Sequence, residues 1–313
     1  MRIAVLGVGG VGGLLAGALD RAGAAVTVIA RPSTAELINA RGLRVNSVRL
    51  GEFIAHPPAL ERLTEPVDVL IVATKATTLT PALQRIVKAP TLTLPLLNGL
   101  DHLTVLRERL GTGVLAGSIR VEADRPKPGV VVHTSPFLRV DIASREQAAG
   151  PGMQSLARTL SDAGIPARVT LPISAGAEAQ VIWGKLVRLN ALACTTSAYD
   201  KLLGEIRSER QMYGDLLAVI QEGCAVALAE GASIDSEEPI AELSQAHATL
   251  GSSMQRDIAA GRTPELDAIP GAVLRAGARH GIPCPTTERL AAVIAKRAGV
   301  KAPDPEAPSP QTR

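Results

Sequence analysis

The sequence predicts an α/β chain in two parts. A doubly wound parallel-sheet domain is expected over residues 1–172, followed by an all-helical C-terminal domain over residues 173–300. Three observations predict this. Short apolar runs of strand length alternate with helical spacings through the first half. The first strand and helix are joined by a glycine-rich turn. Around Pro172 the texture changes, and from Ile173 onward the apolar spacing is helical with no convincing strand between.

The opening residues read as a strand (Arg2 to Leu6), a turn, a helix and a second strand (Ala25 to Ala30) ending on Arg31. The turn Gly7-Val8-Gly9-Gly10-Val11-Gly12 fits G-x-G-x-x-G. Gly7 permits a tight exit from the strand. Gly9 leaves room for a pyrophosphate to approach the backbone, and Gly12 lets the helix sit close on the sheet. The helix N-terminus offers unpaired N–H groups and partial positive charge to phosphates. Such a motif alone also serves as a packing device. Here it leaves a strand and opens a helix, which is the context of a Rossmann dinucleotide site.

An acid at the end of the second strand would bond the ribose 2′-OH of NAD and repel a 2′-phosphate. This chain has Arg31 there, and a guanidinium fork accepts such a phosphate. NADP(H) is therefore the expected cofactor, with a solvated loop charge as the plainer reading of Arg31.

Val67 to Ala73, Thr91 to Leu96, Val114 to Ile119, Val130 to Thr134 and Leu138 to Ala143 are the further strands expected. Leu79 to Val87 and His102 to Leu110 have helical spacing between them. In the second half, Ile173 to Ala193, Glu209 to Glu230, Pro239 to Ala259, Ala268 to His280 and Thr286 to Arg297 read as helices. The proline-rich tail, residues 301–313, is expected to carry no packed structure.

Composition narrows the function classes. A hydrophobic content of 46% supplies a core, and 20% charged residues with a net charge of +3 exclude a disordered chain. Scattered Lys and Arg with 2% aromatic residues give no case for nucleic acid. Three cysteines, Cys194, Cys224 and Cys284, lie far apart, so a reducing compartment is expected. The apolar run to Leu19 mimics a signal peptide, but its glycines would interrupt a helical leader, and the cytoplasm is preferred. No membrane span stands out, and the five histidines show no metal spacing, so no metal is expected.

Three clusters carry chemistry beyond the glycines. Lys75 follows one core strand, and Asn98-Gly99 follow another. Ligands of open α/β sheets sit outside the carboxyl ends of the strands, so all three are placed for the nicotinamide half of a cofactor. Elsewhere such residues are surface charge and turn. Lys185, in Trp183-Gly184-Lys185-Leu186, offers a proton donor to a reduced carbonyl oxygen and a cation to a developing alkoxide. The alternative is a lysine on a solvated helix face. Ser252-Ser253-Met254-Gln255 and Arg262-Thr263-Pro264-Glu265-Leu266-Asp267 form the third cluster. There Glu265 could orient the lysine or bond a hydroxyl, and a serine could donate to a carboxylate. Thr263 and Asp267 also read as helix caps.

Together these pieces resemble the ketopantoate reductase (2-dehydropantoate 2-reductase) family over about residues 1 to 298. The resemblance implies NADPH-dependent reduction of a 2-oxo acid. It places Lys185 on the family's catalytic lysine, Glu265 on its glutamate beside the substrate hydroxyl, and Ser253 on the serine holding the substrate carboxylate. Asn98 and Lys75 fall on residues lining cofactor and active site. The family's two asparagines, four and eight residues after the lysine, are Leu189 and Ala193 here, and Asn190 points off that face unless a π-bulge shifts the register. Ketopantoate is the leading substrate that the resemblance implies, with a more apolar 2-oxo acid as the near alternative. A non-catalytic NADP(H)-binding redox sensor is the alternative of a different class. Glu222 is read either as approaching the site or as a surface pair. A helical second domain often pairs with itself, so a homodimer is expected.

Overall fold

The structure is a computed structural model, and it describes residues 1–306. Residues 307–313, the end of the expected unpacked tail, lie outside it. The chain divides into two compact units: Met1–Leu97 with His102–Val181, and Asn98–Asp101 with the chain from Ile182 onward.

The first unit contains β1 (Arg2–Leu6), α1 (Gly10–Arg21), β2 (Ala25–Ile29), α2 (Pro32–Arg41), β3 (Leu43–Ser47), β4 (Gly51–Ala55) and β5 (Ala59–Leu60). It continues through β6 (Val69–Val72), α3 (Leu79–Leu83), β7 (Leu92–Pro95), α4 (His102–Leu110), β8 (Ala116–Arg120) and β9 (Ala123–Lys127). It closes with β10 (Val130–His133), β11 (Arg139–Ala143), α5 (Gly150–Asp162) and β12 (Ala167–Val169). Five strands form a parallel sheet in the order β5-β2-β1-β6-β7, so the winding direction reverses between β1 and β6.

The two faces of that sheet explain its sequence. Ile3, Val5, Val28 and Ile71 join a core with Leu14, Leu15 and Leu19 of α1 and Leu156 and Leu160 of α5. The alternate residues, Ala4, Leu6, Ile29, Leu70 and Val72, join another with Leu79 and Leu83 of α3 and Leu106 of α4. A strand covered on both faces has no polar side to show, which is why β1 from Ile3 onward and β6 are unbroken apolar runs and β2 is broken only by Thr27.

The expected parallel winding stops after β7. A parallel bridge between Thr93 and Val114 extends the sheet, but β8 then pairs antiparallel with β11. A separate sheet has the order β4-β3-β10-β9, with β9 and β10 antiparallel. The reason is reach. Only Pro128 and Gly129 separate β9 from β10, with Gly129 at φ +74°, and two residues close a hairpin but cannot carry a crossover helix. Pro126 sits within β9, at the sheet edge where a missing donor costs no ladder bond.

Helix α6 (Ala175–Tyr199) is one uninterrupted α-helix, with its first residues counted in the first unit and the rest in the second. Near its start Glu178, 2% exposed, accepts hydrogen bonds from Arg107 and Arg145. The second unit continues with α7 (Leu203–Ser208), α8 (Arg210–Ala229), α9 (Glu237–Gln245), α10 (Ser253–Ala259), a π-helical turn (Asp267–Gly271), α11 (Ala272–Arg279) and α12 (Pro285–Ala298). Among the described residues it contains no strand. The expected helix Pro239 to Ala259 is two helices, because Gly204 packs on Ala248 and Ser252 starts a new helix by accepting a bond from the Gln255 N–H. Glu222 accepts from the N–H groups of Thr286 and Thr287 and so caps α12, rather than serving a site or a surface ion pair. Helix α8 is long and apolar enough by composition to cross a membrane, yet Leu216, Val219, Ile220 and Val226 are buried against its neighbours.

Within the tail, residues 301–306 form no helix or strand. Pro303 and Pro305 are half-buried; Pro305 lines a concavity with Leu274, Ala278 and Ile282.

Candidate functional site

The glycine turn follows β1 as its sequence predicts. Gly7 has φ +96°, and a Cβ there would meet the Thr74 methyl at 2.8 Å. A Cβ on Gly12 would lie 1.9 Å from the Gly7 carbonyl oxygen, so the helix touches the turn only because Gly12 has no side chain. Gly9, the N-cap of α1, is the opposite case: a Cβ there would meet nothing within 4 Å. Gly9 leaves an open space at the helix N-terminus. Gly10 packs on β9, where a Cβ would come within 2.0 Å of the Ala123 oxygen. Val8 is buried and Val11 half-buried. The twelve-residue α1 behind the turn supplies the dipole that favours a phosphate.

Arg31 ends the β2 segment as an exposed, extended residue and is the N-cap of α2. Lys75 is exposed after β6 and starts a short 3₁₀ turn. Beside it the buried Thr74 hydroxyl oxygen has no hydrogen-bond partner among the described residues; the sequence assigns that threonine no role of its own. An orphaned hydroxyl next to an open glycine cradle fits a polar ligand, and a dinucleotide matches both features.

Three residues singled out by sequence lie together in the second unit. Lys185, half-buried on α6, donates from Nζ to Asn98 Oδ1 at 2.9 Å. Asn98 Nδ2 donates to Glu265 Oε2 at 2.9 Å. Glu265 is 8% exposed and sits between buried Pro264 and Leu266, just ahead of the π-helical turn. The chemistry fixes the amide. Lysine can only donate and a carboxylate can only accept, so the Asn98 oxygen must face Lys185 and its nitrogen Glu265. The arrangement aims an ammonium with a carboxamide and anchors that carboxamide on a carboxylate. Chemically it can hold and deliver a proton at a defined atom.

The other residues are placed differently. Ser253 is the exposed first residue of α10, whereas its neighbour Ser252 is buried and bonded to the Gln255 N–H and the Thr196 hydroxyl. Thr263 is exposed and caps no helix, and Asp267 lies inside the π-helical turn. Leu189 is half-buried one turn beyond Lys185, and Ala193 is fully buried a turn further. Because α6 carries no π-bulge, Asn190 lies about 140° around the helix from Lys185. It is fully buried and accepts from the Cys194 thiol. Gly99, at φ +82°, packs against the Ala268 carbonyl.

His102 is fully buried at the first residue of α4. Among the described residues no group of three or more His, Cys, Asp or Glu side chains could hold a metal ion. The cysteines are unpaired, and burial pushes the Cys284 thiol up to about 11. Sequence reading also missed Asp101 and Arg275, which form an ion pair of 2.6 Å across 174 residues of chain; no local pattern could have announced it.

Comparison with known proteins identifies the family. The model of the ketopantoate reductase PanE/ApbA family matches residues 3–146, and its C-terminal model matches residues 179–298. A 2-dehydropantoate 2-reductase of Halobacterium salinarum is 27% identical over 315 residues, covering 94% of this chain and 98% of that protein. The crystal structure of a PanE/ApbA family ketopantoate reductase from Ralstonia eutropha superposes with a TM-score of 0.82 at 26% identity, covering 96% of this chain and 99% of that one. The ternary structure of a D-mandelate dehydrogenase with NADH and anilino(oxo)acetate shares the fold, with a TM-score of 0.85 at 24% identity and coverage of 96% and 100%. With its glycine turn, its helical second unit and both family models in register, the chain belongs to the PanE/ApbA ketopantoate reductase family of oxidoreductases.

Proposed function

We propose that this protein reduces a 2-oxo acid to the 2-hydroxy acid with NADPH, and that ketopantoate, giving pantoate, is its leading substrate. The observation that carries the reading is the chain of hydrogen bonds from Lys185 through Asn98 to Glu265. A nicotinamide coenzyme, when bound, supplies the hydride. Lys185 Nζ holds the proton for the carbonyl oxygen and stabilises negative charge there as it develops. Asn98 Oδ1 restricts where that proton points, and Glu265 stops the carboxamide from turning away. Ser253 offers a hydroxyl to the substrate carboxylate. Gly7, Val8, Gly9, Gly10, Val11 and Gly12 receive the pyrophosphate. Lys75, Asn98 and Gly99 serve the nicotinamide half. The exposed guanidinium of Arg31 favours NADPH, because it stands after the second strand where an acid would repel a 2′-phosphate.

Leu189 and Ala193 favour a second reading, the same chemistry on a more apolar 2-oxo acid. The protein is assigned to the cytoplasm as a homodimer, in keeping with its unpaired cysteines and helical second unit. Initial rates with ketopantoate and a panel of 2-oxo acids, run with NADPH and NADH in parallel, test these assignments. The expected result is fastest turnover with ketopantoate and NADPH. Ketopantoate turnover well below that of an apolar acid rejects the leading substrate, and faster turnover with NADH rejects the role of Arg31. Absence of turnover with every acid returns the protein to the sensor class.

A further inference from the structure

Asn98 reaches Lys185, and Glu265 reaches Asn98, from two stretches that lie outside the helices and strands. We propose that Arg275, on α11, is the positioning residue that locks these two stretches together and so aims Lys185. The inference rests on the proton-donor reading of Lys185.

The Arg275 side chain is 6% exposed and lies between two carboxylates. Its Nη2 donates to Asp101 Oδ2 at 2.6 Å and to the Asp267 carbonyl oxygen at 2.9 Å. Its Nη1 donates to Asp267 Oδ1 at 2.8 Å. Asp101 stands three residues after Asn98, and Asp267 two residues after Glu265. One guanidinium therefore grips both stretches, immediately beyond Asn98, which bonds Lys185, and Glu265, which bonds Asn98. Gly99 makes a second point of contact between the same stretches. A Cβ there would come within 2.0 Å of the Ala268 oxygen, so the two backbones meet with no side chain between them.

The chemistry requires arginine. Asp101, with its side chain 11% exposed, and Asp267, 32% exposed, would repel each other if no cation stood between them. A planar fork with fixed donor directions fixes two acceptor groups at once, whereas a lysine ammonium supplies one mobile point charge. A displacement of about 1 Å in a catalytic group costs roughly 100-fold in rate, so a tie this close to Asn98 and Glu265 governs turnover.

The test compares initial rates of wild type, Arg275→Lys, Asp101→Ala and Asp101→Asn with saturating NADPH and varied 2-oxo acid. Arg275→Lys and Asp101→Ala are expected to lower kcat by about 10- to 100-fold, with KM moving less than about threefold. Asp101→Asn, which can still accept from Arg275, is expected to recover most of that loss. If Arg275→Lys does not fold, the Asp101 pair carries the comparison alone. A folded Asp101→Ala enzyme with a lower Tm but kcat within about twofold of wild type overturns the proposal, because support of the fold alone leaves turnover intact. If wild type reduces no 2-oxo acid, the reductase reading fails by itself. Selective ¹⁵N labelling of the four asparagines, Asn39, Asn46, Asn98 and Asn190, then decides the positioning claim. The Asn98 side-chain amide signal shifts in Asp101→Ala if the tie places Asn98, and an unmoved signal overturns it.

Discussion

A carboxamide held between an ammonium and a carboxylate has one orientation that satisfies both neighbours, and Asn98 is in it. This gives the site a direction: Glu265 fixes the amide, and the amide fixes the ammonium. Removing the ammonium should leave coenzyme binding intact and abolish proton delivery. Lys185→Ala is expected to lower kcat by about 10²- to 10⁴-fold, the usual worth of a positioned acid. Lys185→Arg should not rescue it, since a guanidinium keeps its proton at working pH although it preserves charge. Single-turnover rates of NADPH oxidation check both variants; an Arg variant as fast as wild type would reduce the lysine to a purely electrostatic role.

At the scale of elements, the turn into α1 separates fold from ligand. A Cβ on Gly12 collides with the Gly7 oxygen, so Gly12→Ala is expected to cost about 1–3 kcal/mol of stability in urea melts as well as coenzyme affinity. A Cβ on Gly9 meets nothing, and its φ of −81° suits any residue. Gly9→Ala should hold stability within about 0.5 kcal/mol while weakening coenzyme binding, measured by fluorescence titration. Equal coenzyme affinity in the Gly9 variant would remove the pyrophosphate from that space. Helix α12 gives a matching test away from the chemistry. Glu222 accepts from two of its first N–H groups and from the Thr287 hydroxyl, so Glu222→Ala is expected to cost about 1–2 kcal/mol with kcat unchanged.

What the sequence made legible follows from burial. Strands covered on both faces declared themselves as apolar runs, and β1, β2, β6 and β7 fall where the runs place them within a residue or two. Of the strands that escaped notice, four carry exposed charged residues, Arg44 in β3, Glu52 in β4, Arg125 in β9 and Arg168 in β12, and β5 is only two residues long. The break between α9 and α10 hides because its signals, Gly251 and Ser252, sit in an otherwise helical spacing. Lys185, Asn98 and Glu265 were recognisable as residue types in context. Their meeting was not, because it joins positions 87 and 167 residues apart. The Asp101–Arg275–Asp267 tie had no local signature at all.

Over the whole molecule, coenzyme and fold are linked, because a ligand that binds only the folded state raises stability by mass action. At a free concentration 100 times its Kd a single ligand adds about 2.7 kcal/mol, which moves Tm by roughly 5–10 °C for a unit of this size. Two coenzymes differing only in the 2′-phosphate therefore report on Arg31 without any turnover. With both at the same concentration, NADP⁺ is expected to raise Tm more than NAD⁺ in thermal melts of the wild-type protein. Arg31→Glu should reverse that order, since a carboxylate at the end of β2 accepts from a ribose 2′-hydroxyl and repels a phosphate. The exposed position of Arg31 makes the exchange cheap for the fold, so the unliganded Tm should stay where it is. Equal shifts with the two coenzymes in wild type would mean that the guanidinium stays in solvent and that the preference must be set elsewhere in the chain.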